Sequence, residues 1–262
     1  MKCCEEVVCE DCYVLLEIDR RRRFIFKARR GGVQGSDKGV LYHDDIIGLK
    51  YGSRVKLSSG YEAEIHRPTL YDFLEIGFHR LSQVIYPKDQ GLLVLLAGVK
   101  PGARIVEIGV GSGFTTAVLA QLVGEEGRIY AYEIREDMAR VARRNLEKIG
   151  LLDRVVLKVK DARLGLEEEN IDAVIVDVPD PWNVLDPAYK ALKPSGTLTI
   201  FIPSLSQAPR LLSAIKNSGK FSEPRVFEIM AREYQASIDA FRPQTTMVGF
   251  TGLIVFTRKI LL

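Results

Sequence analysis

The stretch Arg104-Ile-Val-Glu-Ile-Gly-Val-Gly-Ser-Gly-Phe-Thr-Thr116 is the most informative part of this 262-residue chain. Its apolar, β-branched start predicts a strand from Arg104 to Ile108, and a helix is expected from Thr115. The three glycines between them, Gly109, Gly111 and Gly113, predict a tight turn whose backbone approaches a ligand closely. A dinucleotide-binding turn spaces its glycines as G-x-G-x-x-G. Here the third glycine comes one residue early, which disfavours a nicotinamide oxidoreductase.

The spacing Glu107-x-Gly-x-Gly-x-Gly113 is similar to the turn of S-adenosylmethionine-dependent methyltransferases. Two further acids fit a nucleoside ligand. Glu133 ends a second predicted strand, where an acid grips the ribose hydroxyls, although it could instead cap the following helix. Asp161, followed by Ala162, ends a third predicted strand and is placed to contact an adenine amino group, or else is a solvated carboxylate at a strand end.

Composition limits the class of protein. A hydrophobic content of 47% is ample for a buried core, and the net charge of +3 is too small to indicate nucleic-acid binding by itself. No apolar run approaches the ~20 residues needed to span a bilayer, and the N-terminus lacks the apolar region of a signal peptide. These features predict a cytoplasmic protein without membrane contact.

The four cysteines, Cys3, Cys4, Cys9 and Cys12, form a cysteine-rich extension over residues 1–12. The spacing Cys9-x-x-Cys12 suits half of a metal knuckle. No second pair follows, and cytosolic thiols are usually reduced. We therefore predict no bound metal.

Residues 13–67 alternate short apolar stretches with glycine and charge clusters, which predicts a small β domain. Seven cations lie within eleven residues: Arg20, Arg21, Arg22, Arg23, Lys27, Arg29 and Arg30. Such a run is either a solvated hairpin or a patch that binds an RNA backbone. Of these two interpretations, we favour an RNA-binding patch.

Residues 68–100 are predicted to form a helical connector, and strands alternate with helices from residue 101 to about residue 217. Two closing strands follow, near residues 225–230 and 248–257. This order predicts a doubly wound, Rossmann-like α/β sheet of the class I methyltransferase type, finished by an antiparallel hairpin, over residues 101–262.

The fourth strand of this sheet ends in Asp177-Val-Pro-Asp-Pro-Trp182, so Asp177 should face the same crevice as the glycine turn. The segment resembles the D-P-P-aromatic motif of enzymes that methylate adenine amino groups, with an extra residue before each proline. Trp182 is either a stacking platform for a base or part of the core.

Taken together, Tyr86-Pro-Lys-Asp89, the glycine turn, Asp177 to Trp182 and Val248-Gly-Phe-Thr-Gly252 resemble the tRNA (adenine-N1) methyltransferases of bacteria and archaea. That resemblance implies an enzyme that transfers a methyl group from S-adenosyl-L-methionine to N1 of adenine 58, or of 57 and 58, in the tRNA T-loop. It also implies that the small β domain of residues 13–67 binds tRNA and that the protein is a homotetramer. The family usually has histidine where this chain has Phe250.

The resemblance further implies which residues act. Asp177 and Tyr86 would be catalytic and lie near the target adenine. The residues expected to contact the cofactor are Gln83, Glu107, Gly109, Gly111, Ser112, Gly113, Phe114, Thr115, Glu133, Met138, Asp161, Ala162 and Asp177.

Two alternatives remain at this point. A protein carboxyl methyltransferase of the isoaspartyl type shares the stretch before the glycine turn but needs neither Asp177 to Trp182 nor a basic β domain. A non-catalytic tRNA-binding subunit would be expected to have lost the glycine turn or Asp177, and both are intact.

Overall fold

The structure is a computed structural model that describes residues 6–261. These residues divide into two compact units, one ending at Phe78 and the other beginning at His79. The predicted connector is therefore divided between them, with residues 68–78 in the first unit and residues 79–100 in the second.

The first unit contains a four-stranded antiparallel sheet in the order β2-β1-β6-β5, and a separate hairpin formed by β3 and β4. Alternating apolar side chains of β1 and β6, including Val14, Leu16 and Ile65, lie at the centre of its core. A short helix, α1, follows, and Thr69 caps it in a reciprocal pair with Asp72. The bounds are β1 Tyr13–Asp19, β2 Arg22–Lys27, β3 Val33–Ser36, β4 Gly39–Tyr42, β5 Arg54–Lys56, β6 Glu62–His66 and α1 Leu70–Asp72, which continues into a π-helical turn, Phe73–Gly77.

The second unit is built on a seven-stranded sheet in the order β12-β15-β11-β10-β7-β8-β9. Strands β7 to β11 are parallel, while β15 is antiparallel to both of its neighbours. This sheet confirms the predicted class I methyltransferase fold. Its bounds are α2 Pro87–Ala97, β7 Arg104–Ile108, α3 Phe114–Val123, β8 Arg128–Glu133, α4 Glu136–Lys148, β9 Val155–Val159, β10 Ile171–Val176, α5 Leu185–Ala191, β11 Leu192–Ile202, α6 Gln207–Ser218, β12 Arg225–Phe227, β13 Tyr234–Gln235, β14 Arg242–Pro243 and β15 Leu253–Arg258.

The core of this unit explains why the strands form where they do. Strand β10 is a nearly continuous apolar run, and β7 and the second half of β11 are buried along nearly their whole length, as expected for parallel strands covered on both faces. Side chains such as Val106, Val174 and Ile200 are fully buried. No helix among residues 6–261 is long and apolar enough to cross a membrane.

One predicted strand is wrong at its start. The last strand was expected from Val248, but β15 begins at Leu253. The side chain of Thr251 is instead bonded to Lys88 and Asp89 at the start of α2, which diverts the chain before it joins the sheet.

Candidate active site

The glycine turn lies between the end of β7 and the start of α3. Gly109 has a φ of +90°, and a Cβ atom at this position would lie 2.0 Å from the carbonyl oxygen of Asp177. The backbone N–H of Gly109 donates to Tyr132 at the end of β8, and that of Asp177 donates to Ile108. Only glycine fits here, because three strand ends converge on this point.

The third glycine of the turn has a packing role. Gly113 precedes α3 with a φ of +82°, and a Cβ there would lie 3.0 Å from the Cβ of Ala142 on α4. Gly113 does not line either of the two cavities at the carboxyl ends of the parallel strands. It allows α3 and α4 to approach each other behind the turn.

A cavity of about 600 Å³ opens at the carboxyl ends of the parallel strands. A second cavity, of about 300 Å³, shares five of its lining residues with the first, among them Gly109 and Glu133. Ligands of doubly wound sheets bind at this edge. The predicted residues that line the first cavity are Gln83, Gly109, Gly111, Ser112, Phe114, Thr115, Glu133, Met138 and Asp177, and those that line the second are Gly109, Glu133, Asp161 and Ala162.

Glu133 lies where the two cavities meet. Its Oε2 accepts a hydrogen bond from Gly111 N–H at 2.9 Å, and its Oε1 accepts one from Arg135 N–H at 3.0 Å. The carboxylate therefore joins the glycine turn to the residue preceding α4. Each oxygen retains a lone pair that a ligand hydroxyl can use.

Two further carboxyl groups are gathered near this point. Burial, and to a smaller degree the neighbouring Asp177 and Glu133, raise the pKa of Glu107 to about 8. Burial, and then Glu133, raise the pKa of Asp177 to about 7. Glu107 does not reach the cavity lining, and its buried Oε2 has no hydrogen-bond partner among the described residues. Like charges in a poorly solvated site disfavour one another, so a cationic ligand would be favoured here.

Asp161 is held by an arginine two residues away. Arg163 Nη2 donates to Asp161 at 2.8 Å, and its Nη1 donates to Asp180 at 3.2 Å. These bonds to Arg163 hold the pKa of Asp161 below its usual range. Arg163 therefore connects Asp161, which follows β9 and lines the second cavity, to Asp180 in the loop after β10.

A model of the family described as "tRNA methyltransferase complex GCD14 subunit" matches residues 68–247, more than half of the chain. The chain belongs to this family of tRNA methyltransferases. A tRNA (adenine(57)-N(1)/adenine(58)-N(1))-methyltransferase of Methanocaldococcus jannaschii is 31% identical, with 94% of each chain covered. The tRNA (adenine(58)-N(1))-methyltransferase of Thermus thermophilus is 33% identical over 94% of this chain and 96% of its own.

Solved structures agree with this membership in the tRNA methyltransferase family. The tRNA (m1A58) methyltransferase of Aquifex aeolicus superposes with a TM-score of 0.87 at 32% identity, covering 98% of this chain and 100% of its own. A Thermotoga maritima protein described as a SAM-dependent O-methyltransferase superposes with a TM-score of 0.91 at 32% identity, over 96% and 94% of the two chains.

The structure does not bring every residue predicted from the family to the cavity. Tyr86 immediately follows Ile85, which lines the cavity, but Tyr86 is not itself a lining residue. Its carbonyl group accepts hydrogen bonds from the first turn of α2. Phe250, which replaces the family histidine, is partly exposed and lies before β15.

Trp182 belongs with the core rather than with the cavity. Its ring packs against the buried cluster under β10 and β11, and the guanidinium of Arg210 lies 3.9 Å above its centre. Neither cavity is lined by Trp182. Of the two interpretations of this residue, packing is the one that the contacts favour.

Several cavity residues lie outside the sequence motifs. Gln207 at the start of α6 donates to the carbonyl group of Pro179 at 2.8 Å and accepts from the N–H of Ser204 at 3.1 Å, so it holds the loop after β10. The sequence feature that could have indicated Gln207 is the predicted helix start near Ser206, after the fifth parallel strand. The residues that line the first cavity and are absent from the prediction are Ser82, Val84, Ile85, Val110, Ile134, Arg135, Val178, Pro179, Pro203, Ser204 and Gln207.

The cysteine extension is only partly described. Cys3 and Cys4 lie outside the described residues, Cys9 carries a free thiol, and Cys12 is disulfide-bonded. A disulfide sulfur is not a thiolate, so Cys12 is no metal ligand in this form. Among residues 6–261, no group of three or more His, Cys, Asp or Glu side chains could hold a metal ion.

Proposed function

We propose that this chain transfers a methyl group from S-adenosyl-L-methionine to N1 of adenine 58 in the tRNA T-loop, with adenine 57 as a second target. The observation that carries the proposal is the position of Asp177. It ends the fourth parallel strand and lines the same cavity as the glycine turn, so one site can hold both the methyl donor and the base. The activity of the relatives, at 31–33% identity over nearly the whole chain, supports the same assignment.

The residues of the two cavities fit the donor. Gly109 and Gly111 line the first cavity without side chains, and the cluster of Glu107, Glu133 and Asp177 suits a positively charged ligand. Bound there, S-adenosylmethionine supplies a methyl group on a sulfonium, which is a good leaving group. Glu133 would hold the ribose hydroxyls, and Asp161 would accept from the adenine amino group of the donor.

Asp177 is the proposed catalytic carboxylate. N1 of adenine has an available lone pair, so alignment of the two reactants accounts for most of the expected acceleration. The methylated adenine becomes cationic. Asp177 would accept a hydrogen bond from the amino group of the target adenine, stabilise the developing charge and take up the proton.

The target base must leave its stack to reach such a cavity. Tyr86 is the proposed stacking partner, because it adjoins a lining residue, and contacts between a base and an aromatic ring are worth about 1–3 kcal/mol in general. We further propose that the enzyme is cytoplasmic and a homotetramer, as the family resemblance implies.

Methyl transfer from labelled S-adenosylmethionine tests this function directly. The pure protein should label a tRNA transcript, and mass spectrometry of its fragments should locate 1-methyladenine at position 58, or at 57 and 58. A peptide pool is tested as a second substrate, and the labelled tRNA is also assayed for methylation at ribose oxygens. Labelling of peptide alone would favour the carboxyl methyltransferase alternative. Labelling at a ribose oxygen, without 1-methyladenine, would favour an O-methyltransferase.

A further inference from the structure

The basic run of the first unit is largely neutralised within that unit. Arg22 pairs with Asp19 and Asp37, and Arg23 with Glu75. Among residues 6–78 the acidic and basic side chains are equal in number, at twelve each. Phosphate binding depends on net positive potential, so this run is a weaker RNA-binding surface than its sequence suggests.

Helix α4 shows the opposite arrangement. Arg140, Arg143 and Arg144 are exposed, and no carboxylate among the described residues lies within ion-pair distance of any of them. Residues three and four apart share one face of a helix, and the opposite face of α4 is buried through residues such as Val141 and Leu146. We call these three residues the α4 arginine face.

Two acids lie on the exposed side of the same helix. Glu136 is four residues before Arg140, and Glu147 is four residues after Arg143. Exposed pairs at this spacing are worth only about 0.3–0.5 kcal/mol. Because these pairs are weak, the arginine side chains can exchange them for contacts with a multivalent polyanion.

The α4 arginine face is rigidly linked to the cavity rim. Asn145, on the buried side of α4, donates to the carbonyl groups of His79 at 2.8 Å and Ser112 at 2.9 Å, and accepts from His79 N–H at 3.0 Å. The segment that it holds continues into Ser82 and Gln83, which line the cavity. Arg135 and Met138, at the start of α4, line it as well. A ligand bound along α4 is therefore held at a set distance from Asp177.

We propose that the α4 arginine face binds the phosphate backbone of the RNA whose adenine enters the cavity. The proposal rests on the function proposed above and adds the surface on which the substrate docks. Arginine suits this task because its planar donors match phosphate oxygens in pairs. Contacts of this kind set register and affinity without reading sequence.

The test compares two triple variants that lose the same charge. Arg140→Gln/Arg143→Gln/Arg144→Gln removes the α4 arginine face and keeps good helix formers. The control, Arg29→Gln/Arg30→Gln/Arg54→Gln, removes three exposed arginines of the first unit that have carboxylate neighbours at 3.3–3.8 Å. For each protein, the KM for tRNA, the kcat, the Kd for S-adenosylmethionine and the salt dependence of tRNA binding are measured.

The α4 variant should raise the KM for tRNA about 10- to 100-fold and reduce the slope of log affinity against log salt by about 2–3, since each lost phosphate contact is worth ~0.7–0.9 of slope. Its donor Kd and its kcat at saturating tRNA should stay within about twofold of wild type, which also shows that it is folded. The control should change the KM for tRNA less than about threefold.

An α4 variant with unchanged KM, or equal losses in both variants, would overturn the inference and leave the proposed function intact. Loss of donor binding in the α4 variant would likewise contradict a pure docking role. If the wild-type protein methylates no tRNA adenine, the proposed function is wrong. The inference about α4 is then wrong as well.

Discussion

Three carboxyl groups surround the glycine turn, and their protonation decides what the site can bind. Glu107 and Asp177 have raised pKa values, of about 8 and about 7, because they are buried and lie near Glu133. Near neutral pH Glu107 and Asp177 are therefore partly protonated, and a cationic ligand bound beside them would favour release of these protons to solvent. We expect the cavity to favour the positively charged donor over its neutral demethylated product for this reason.

The first prediction concerns Asp177. Replacement by alanine should lower kcat by about 10²-fold or more, because the developing charge on adenine loses its stabilising carboxylate. Donor affinity should change only a few-fold, since Glu133 and the glycine turn remain. Turnover and donor binding are measured by radiolabel transfer and calorimetry. Methylation of tRNA at a rate near wild type would contradict the assignment.

The raised pKa of Asp177 also predicts how the activity depends on pH. Below about pH 7 the carboxyl group is protonated, so it can neither take up the amino proton nor stabilise the developing positive charge, and kcat/KM should rise through pH 7 and level off above it. The folded pKa is above the unfolded one, so ionisation of this group lowers stability as pH rises from about 4 to 7. Asp177→Asn should therefore abolish the pH step without lowering the unfolding temperature at pH 8.

The second prediction separates steric conflict from backbone strain at Gly109. Gly109→Ala would place a methyl group 2.0 Å from the Asp177 carbonyl oxygen, so the end of β10 must move and both donor binding and kcat should fall at least 10-fold. Gly150→Ala is the control, because Gly150 has a similar φ of +70° but open space around it. It should cost about 1–2 kcal/mol of stability and leave activity unchanged. Equal effects on activity would argue against close packing at the turn.

At the scale of elements, the start of α2 holds the chain that precedes β15. Lys88 Nζ donates to Asp89 at 2.8 Å, to the Ile229 carbonyl oxygen at 2.6 Å and to Thr251 Oγ1 at 2.6 Å. Asp89 is fully buried. The sequence indicates only that Lys88 and Asp89 lie at the start of a helix, since Ile229, which accepts from Lys88, lies 141 residues further along the chain and Thr251, which donates to Asp89, lies 162 residues further.

The third prediction follows from this buried pair. Lys88→Met should destabilise the protein by about 3–5 kcal/mol, because Asp89 keeps its charge and loses its counterion. Lys88→Met/Asp89→Leu should lose less than the single variant, since a buried apolar pair needs no counterion. Thermal unfolding and proteolysis within residues 229–252 are the measurements. A double variant that is less stable than the single one would contradict this account.

At the scale of the whole molecule, the segment before β15 exposes apolar side chains that a single chain does not cover. Strands β13 and β14 form a small hairpin in which Tyr234 and Phe241 stack with their ring centres 5.3 Å apart. Ile238 is fully exposed, and Met230 and Phe241 are 73% and 72% exposed. Exposed apolar groups of this kind mark interaction surfaces.

The fourth prediction is that a second copy of this chain covers the hairpin within the proposed homotetramer. Ile238→Asp/Phe241→Asp should shift the mass measured by light scattering from tetramer towards dimer or monomer. Leu164→Asp is the control, because Leu164 is 88% exposed but lies far along the chain from the hairpin. A wild-type protein that is monomeric at micromolar concentration would exclude this assembly.

Local sequence was enough to predict the α/β fold and the edge of the sheet at which the cavities open. Strand and helix periodicity, glycine spacing and acids at strand ends are each contained in a few neighbouring residues, so β7, β8 and their turn could be located directly. The carboxyl ends of parallel strands meet at one edge, so the sequence alone predicts that Glu133 and Asp177 lie at the same edge as the glycine turn.

Contacts between distant residues required the tertiary structure. The late start of β15 depends on the bonds of Thr251 to α2, and the pairing of the Arg20 to Arg30 run depends on carboxylates brought close by folding. The charge of a segment is a property of its sequence, whereas the potential at its surface depends on which neighbours the fold supplies. For this reason the run of cations from Arg20 to Arg30 indicated the first unit as the RNA-binding surface, whereas the ion pairs of the folded chain led us to propose α4.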